Sequence, residues 1–482
     1  MVTREPPRFP KPASKNPWYV LATINGEQTD EGWNGEVAAR NRRIWNGWSC
    51  GHLPKAKRAE IAKLAKLDEA ALEAWSETER AHVEKVFATG RGMGMVLPDP
   101  VAAVDFKDTH FETPLSMSQF VFTQAVVFTS ATFDGYAWFD STTFSGDAWF
   151  GSATFNGDAW FGSARFSCYA WFDHATFSGD ARFSSATVSG DAVFSGATFG
   201  GDTWFDGAKF TGYAWFDSAT FSGDAWFDSA TFSGEAWFGS ASFGGDAWFG
   251  SARFSRYAWF DHAKFSGDAR FSSATVSGDA VFSGATFGGD AWFDGAAFTG
   301  YAWFDSATFS GDAWLDSASF NGDAWFGNAT FERFANFTGA TFEKIASFSE
   351  CQFGRTTSFR EARFQGAFPR LTGAILHQNT IFTAKDRFWP AMGSVEPEAS
   401  RDSLAVIRHA IAKQGLPEEE HYFFRREMRF RAKIGTVFER LPYILYQELS
   451  DFGNSIVRPT VGLMALWATF GLAYLARILR PR

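Results

Sequence analysis

Ala219-Thr220-Phe221-Ser222-Gly223-Asp224-Ala225-Trp226-Phe227-Asp228-Ser229 is followed at once by Ala230-Thr231-Phe232-Ser233-Gly234-Glu235-Ala236-Trp237-Phe238-Gly239-Ser240. Each eleven-residue unit carries Ala two positions before Phe, twice. A small and a large apolar residue at a separation of two lie on the same face of a short strand. One unit therefore reads as two strands and two corners. The Gly-bearing corner (Ser222-Gly223-Asp224) has one residue more than the other (Asp228-Ser229). Two units make four strands and four corners, which reads as a 22-residue coil of square cross-section, with a three-sided coil as the alternative.

The pattern runs outward from this stretch without a break. From Phe106 to Phe364 a bulky apolar residue recurs at spacings alternating five and six, 48 positions of which 44 are Phe. The exceptions, Met117, Val188, Val276 and Leu315, are also apolar, so the column selects for burial. A fixed period whose units cannot bury their apolar face alone is the signature of a solenoid. Ala164–Gly234 and Ala252–Gly322 match at all but seven of 71 positions, with an offset of 88, a whole number of 22-residue coils. Such an insertion keeps every inward position inward. Corner glycines such as Gly146, Gly157, Gly179 and Gly190 are expected to supply a positive φ.

On these residues, Ala at minus two and Phe at the centre of successive short steps, the chain resembles the pentapeptide-repeat family over roughly Phe106 to Phe364. The departure is that every second step is six residues long. The resemblance implies a mainly β fold, a right-handed quadrilateral β-helix. Some members of that family act as DNA mimics that bind topoisomerases, and in others the β-helix precedes membrane helices.

Composition agrees with a repeat. Of 482 residues 18% are aromatic, with 57 Phe and 21 Trp, and the net charge is −10. That balance argues against a basic nucleic-acid binder. Cys50, Cys168 and Cys351 are too few for a disulfide framework or zinc cluster. Met1 to Asn16 shows no apolar signal region, so the main body is expected in the cytoplasm. Acids exceed bases 29 to 13 between Phe106 and Phe364, while the remainder has 25 acids and 31 bases. Twelve coils at ~4.8 Å give a rod of roughly 57 Å.

With Phe and Ala inside, the outward residues must carry function. Between Ala and Phe two opposite faces usually carry Trp: Trp138, Trp160, Trp204, Trp226, Trp248, Trp292 and Trp314 on one, and Trp149, Trp171, Trp215, Trp237, Trp259, Trp303 and Trp325 on the other. Such ladders suit a protein partner, a second copy or a membrane surface; equally, they are cross-strand stacking that stabilises the sheet. The other two faces carry Thr132, Thr154, Thr176, Arg165 and Lys209, where β-propensity accounts for Thr as well as ice binding does. Columns of Asp147, Asp158, Asp180, Asp191 and Asp202, and of Asp140, Asp173, Asp206, Asp217 and Asp228, make the rod acidic. The carboxylates are repeated and equivalent, His174 and His262 are four coils apart, and no nucleophile, metal or phosphate-loop constellation stands out. No enzyme activity and no cofactor are expected.

The ends differ in kind. Residues 1–104 read as a flexible Pro-rich leader (Pro6, Pro7, Pro10, Pro12) and a helical cap, with Arg42, Arg43, Ile44 and Trp45 packing on the open first coil or holding a partner. Residues 105–390 are the β-helix, 391–402 a linker, 403–455 amphipathic helices and 456–482 a membrane segment with a basic tail. Arg425, Arg426, Arg429, Arg431 and Lys433 are candidates for an anionic lipid surface. Pro459 to Ala476, uncharged and flanked by Arg458 and Arg477, spans about 27 Å, which reads as one transmembrane helix. The expectation is a non-enzymatic scaffold, single-pass near its C-terminus, binding an unknown protein partner or itself and contacting lipid, without direct nucleic-acid binding. The alternative is an acidic rod that binds a topoisomerase.

Overall fold

The computed structural model describes residues 10–29, 33–393 and 395–478. Strands of two or three residues recur from Val104 to Phe382 and sort into four parallel sheets of twelve or thirteen strands. Every register step in the regular region is 22 residues, as in Thr154 opposite Thr176 and Ala148 opposite Ala170. The square coil follows from the alternation of five and six. In chain order the faces are a Tyr–Trp face (Ala148–Trp149 and its successors), a Thr face (Thr154–Phe155), an Asp–Trp face (Ala159–Trp160) and a mixed face (Arg165–Phe166). The two Trp ladders are therefore opposite each other.

Inside, the column Phe residues are at most 3% exposed. Except where Val188, Val276, Leu315 or the last coil comes next, each stacks on the Phe one coil on, for example Phe133 on Phe155 at 4.5 Å and 4°, and Phe155 on Phe177 at 4.8 Å and 0°. Adjacent columns meet edge to face, as Phe216 does with Phe227 at 5.5 Å. Both geometries are those that aromatic quadrupoles favour, so stacking adds to burial.

The corners correct one expectation. The positive φ lies in the shorter corner, at Ser152, Ser163, His174, Ser229 and their equivalents, near 55°. The turn there is closed by the Ala153 N–H donating to Phe150 O at 3.0 Å. Gly146, Gly157, Gly179 and Gly190 are not in the left-handed region; their reason is close approach. A Cβ on Gly157 would meet Gly135 C at 2.8 Å, and one on Gly146 would meet Ala125 N at 2.6 Å. At these glycines the preceding coil lies too close for a Cβ as the backbone stands, whereas Cys168, Arg256, Arg333 and Lys344 hold the same corner position in other coils.

Helices close both ends. At the start, Lys11–Pro12 adds a strand to the Thr face, Lys11 N–H donating to Asp108 O at 2.7 Å. Part of the expected flexible leader is thus sheet; Pro6 and Pro7 lie outside the described residues. Helices α1 (Pro17–Ala22), α2 (Gly35–Cys50), α3 (Lys55–Ala65) and α4 (Glu77–Thr89) follow. Trp45 lies over Phe120 at 5.4 Å and donates its indole N–H to Val121 O at 3.1 Å. Asn46 accepts from Val121 N–H at 2.8 Å and donates to Gln119 O at 3.1 Å. A side-chain amide thus replaces the missing preceding strand, which blunts the edge.

Past Phe364 the register slips to 23 residues, Ser358 opposite Ile381. Trp389 then stacks on Phe364 at 5.4 Å and meets Phe423 edge-on. Phe423 belongs to α6 (Pro417–Arg431), which packs with α5 (Pro397–Ala412) as a hairpin over the last coil. Helix α5 thus begins inside the expected linker. Helices α7 (Val437–Ser450) and α8 (Val457–Ile478) follow.

The spanning expectation is corrected here. Pro459 to Ala476 is helical, yet among the described residues no helix is long and apolar enough to cross a membrane. Between Arg458 and Arg477 there is room for about 27 Å against a core of about 30 Å. Pro459, Thr460, Trp467, Thr469 and Tyr474 further dilute the apolar run.

Candidate functional site

The two Trp faces are continuous in register but differ in chemistry. On the Asp–Trp face the outward column reads Trp138, Trp160, Arg182, Trp204, Trp226, Trp248, Arg270, Trp292, Trp314. Arg182 sits between Trp160 and Trp204, its guanidinium 4.9 and 4.7 Å from their rings, and Arg270 lies 3.9 Å from Trp248. These arginines continue the ladder as cation–π rungs. Trp204 and Trp226 stack at 4.9 Å, Trp292 and Trp314 at 5.2 Å. Trp138 is buried, covered edge-on by Trp33 at 5.2 Å.

Beside this ladder runs an uninterrupted column of Asp158, Asp180, Asp202, Asp224, Asp246, Asp268, Asp290 and Asp312. Each carboxylate accepts the backbone N–H one coil on, Asp246 N–H to Asp224 at 2.8 Å being typical. Stacked carboxylates repel; the backbone donors and the water on their outer side offset that repulsion.

On the Tyr–Trp face the column is Trp149, Trp171, Val193, Trp215, Trp237, Trp259, Val281, Trp303, Trp325. Trp149 stacks on Trp171 at 5.2 Å, Trp237 on Trp259 at 5.1 Å and Trp303 on Trp325 at 5.7 Å. Here the neighbouring column alternates: Asp147, Tyr169, Asp191, Tyr213, Glu235, Tyr257, Asp279, Tyr301, Asp323. Asp191 accepts from the Tyr213 N–H and Asp279 from the Tyr301 N–H, both at 2.9 Å. The tyrosines are 41–45% exposed, whereas most of the ladder Trp are half-buried by one another. The 44-residue Tyr period is legible in the sequence, although the Trp columns alone had drawn attention.

The carboxylates after the Phe form two further columns, one beside each Trp face, interspersed with glycine and serine. Asp140 lies over Gly162, where a Cβ would fall 2.8 Å from its oxygen, and Ser184 donates to Asp206 at 2.5 Å. Burial pushes the carboxyls of Asp140, to about 6, and of Asp217, Asp228, Asp305 and Asp316 upward. Asp140 also lines a cleft of about 470 Å³ with Trp33, Arg42, Trp138 and Trp160. Among the described residues no group of His, Cys, Asp or Glu could hold a metal ion. His174 and His262 face glycines one coil on, Gly196 and Gly284, whose added Cβ would meet the imidazole Nδ1 at 2.6 and 2.5 Å.

Each of the five candidate lipid-surface residues has a partner within the chain. Arg425 pairs with Asp451, Arg429 with Asp451 at 3.1 Å, Arg426 with Asp386 at 2.7 Å and Arg431 with Glu427 at 2.9 Å, while Lys433 donates to Met392 O at 3.0 Å. Glu427 is fully buried and also accepts from Arg408 at 2.7 Å. The apolar surface lies further on. Phe438 and Trp467 are 87% and 84% exposed, and Leu441, Leu445, Leu449, Leu463 and Phe470 are exposed beside them.

A family model described as Pentapeptide repeats matches the chain in overlapping windows, 128–176, 139–187, 172–220, 216–264, 260–308, 293–341, 304–352 and 337–384, more than half of its length. No curated protein and no solved structure matches. The solenoid of that family is a structural, typically non-enzymatic fold, and the match indicates no catalytic family. With the 22-residue coil, the four parallel sheets and the Phe-filled interior, the chain belongs to the pentapeptide-repeat family.

Proposed function

We propose that the chain is a non-enzymatic scaffold that holds a protein partner, or a second copy of itself, on the outer faces of its β-solenoid and attaches to a lipid surface through α7 and α8. One observation carries the first half. The interior is filled by stacked Phe, while aromatic residues are also set in register on two outer faces, so recognition chemistry is available only outside. Contiguous exposed aromatic surface of this kind favours a binding role.

Lipid attachment is supported by the exposed apolar residues of α7 and α8. Phe438, Leu441, Leu445 and Leu449 recur at helical spacing along α7, the pattern of a helix lying in the headgroup region. Arg458 and Arg477 bracket the apolar part of α8 and suit anionic headgroups. Flotation with anionic vesicles tests this half: the full chain floats and a form ending at Ser455 does so less. Trp215→Thr, Trp237→Thr and Trp259→Thr together keep the fold and abolish association seen in sedimentation or crosslinking. A full chain that neither floats nor associates through these faces would sink the reading.

A second reading, an acidic rod engaging a topoisomerase, is favoured by the eight-carboxylate Asp column. It calls for binding that salt weakens steeply and that charge neutralisation of this column removes, with the Trp substitutions silent.

A further inference from the structure

The alternation on the Tyr–Trp face sets a length. Tyr169, Tyr213, Tyr257 and Tyr301 recur every second coil, and acids occupy the coils between them. Two coils rise ~9.6 Å. A polyproline II helix repeats every three residues, ~9.3 Å, so from Tyr169 to Tyr301 the mismatch accumulates to only about 1 Å. Two turns of α-helix rise ~10.8 Å and fall out of step by over 3 Å on that span. In an extended strand side chains three apart point to opposite faces.

We propose that the Tyr–Trp face binds a basic, proline-rich segment of a partner protein in the polyproline II conformation; this rests on the scaffold reading and names the partner's chemistry. Proline rings pack on aromatic side chains, and such segments bind aromatic-lined surfaces at little entropic cost because their conformation is preformed. The four tyrosines stand beside Trp171, Trp215, Trp259 and Trp303 with ring centroids 5.6 to 6.3 Å apart. Each Tyr–Trp pair is one aromatic step per turn of ligand. The acids between them supply the complementary charge: one oxygen of Asp147, Asp191 and Asp279 is used on a Tyr backbone N–H, and a carboxylate accepts through two. An Arg or Lys at every third ligand position meets an acid at every second coil. The opposite face has acids in successive coils and, at its start, one tyrosine, Tyr136, so it offers charge without a repeating Tyr step.

The test titrates the full chain with a synthetic peptide of Pro-Pro-Arg repeats, read by Trp fluorescence. The expected result is saturable binding that weakens at least about tenfold when Tyr169→Ser, Tyr213→Ser, Tyr257→Ser and Tyr301→Ser are combined. The exposed tyrosines are replaced without opening the core, and circular dichroism checks the fold. Equal binding of a Gly-Gly-Arg repeat peptide would overturn the proposal, since a flexible polycation would then suffice. Equal loss on Asp202→Asn, Asp224→Asn and Asp246→Asn would overturn it too, as would the face taking a β-linked glucose oligosaccharide and refusing the peptide. If the peptide fails while the Trp-dependent association persists, only the ligand assignment falls. If both fail, the scaffold reading falls with it.

Discussion

Replacing Phe227 by Ala removes a ring from the middle of one column, stacked on Phe205 at 4.9 Å and Phe249 at 4.7 Å and met edge-on by Phe216 and Phe238 at 5.5 and 5.4 Å. Burial of a Phe side chain contributes about 1.5–3 kcal/mol, and each stacked neighbour adds about 0.5–1.5 kcal/mol. The neighbours are held by coils above and below and cannot close the gap, so the expected loss is about 3–5 kcal/mol. The chain carries its own control. Four coils on, in the duplicated block, the same column holds Leu315, fully buried. Phe227→Leu keeps the apolar volume and forfeits the stacking, and is expected to cost about 1–2 kcal/mol. Guanidinium unfolding followed by circular dichroism measures both. An alanine variant losing less than about 1 kcal/mol, or a leucine variant as damaged as the alanine one, would refute the stacked-column account.

Gly234→Ala places a Cβ 2.2 Å from Gly212 O; the contact is rigid backbone of the preceding coil, so the two coils must part, at about 1–3 kcal/mol, and a variant as stable as the parent would count against coil contact as the reason for that glycine. Asn46→Ala leaves Val121 N–H and Gln119 O without their partner, costing about 1–3 kcal/mol and exposing a sheet edge, so sedimentation should show new association; a monodisperse, equally stable variant contradicts the capping role. Burial raises the Asp140 carboxyl from 3.8 to about 6. The folded chain therefore holds that proton more tightly than the unfolded one, and this residue's contribution to stability falls as pH rises from about 4 to about 6. Asp140→Asn removes that slope, so its stability relative to the parent rises between about pH 4 and pH 6; parallel melting curves of the two forms across this range would contradict it.

Much of the rod is legible from two spacings. Ala two before Phe sets the inward face, and five alternating with six sets the coil, because inward residues are chosen for size and a parallel register admits no slip. That reasoning reaches the 22-residue pairing and the opposite Trp faces; the 23-residue step after Phe364 departs from it. The corner glycines were misread because φ and close approach leave the same residue in the sequence; the stacked neighbour that excludes a Cβ is 22 residues away. Composition showed α6 as a basic helix. Its partners, Asp386, Asp451 and the buried Glu427, come from a 3₁₀ turn (Asp386–Phe388), the end of α7 and the helix itself. The sequence by itself determined the inward faces and the length of the coil, since each unit meets a near copy of itself. Only the tertiary structure decided what seals the ends: there Trp45, Asn46 and Trp389 meet residues with no periodic relation to them, and pairings between unlike segments are set by packing and charge in space rather than by spacing along the chain.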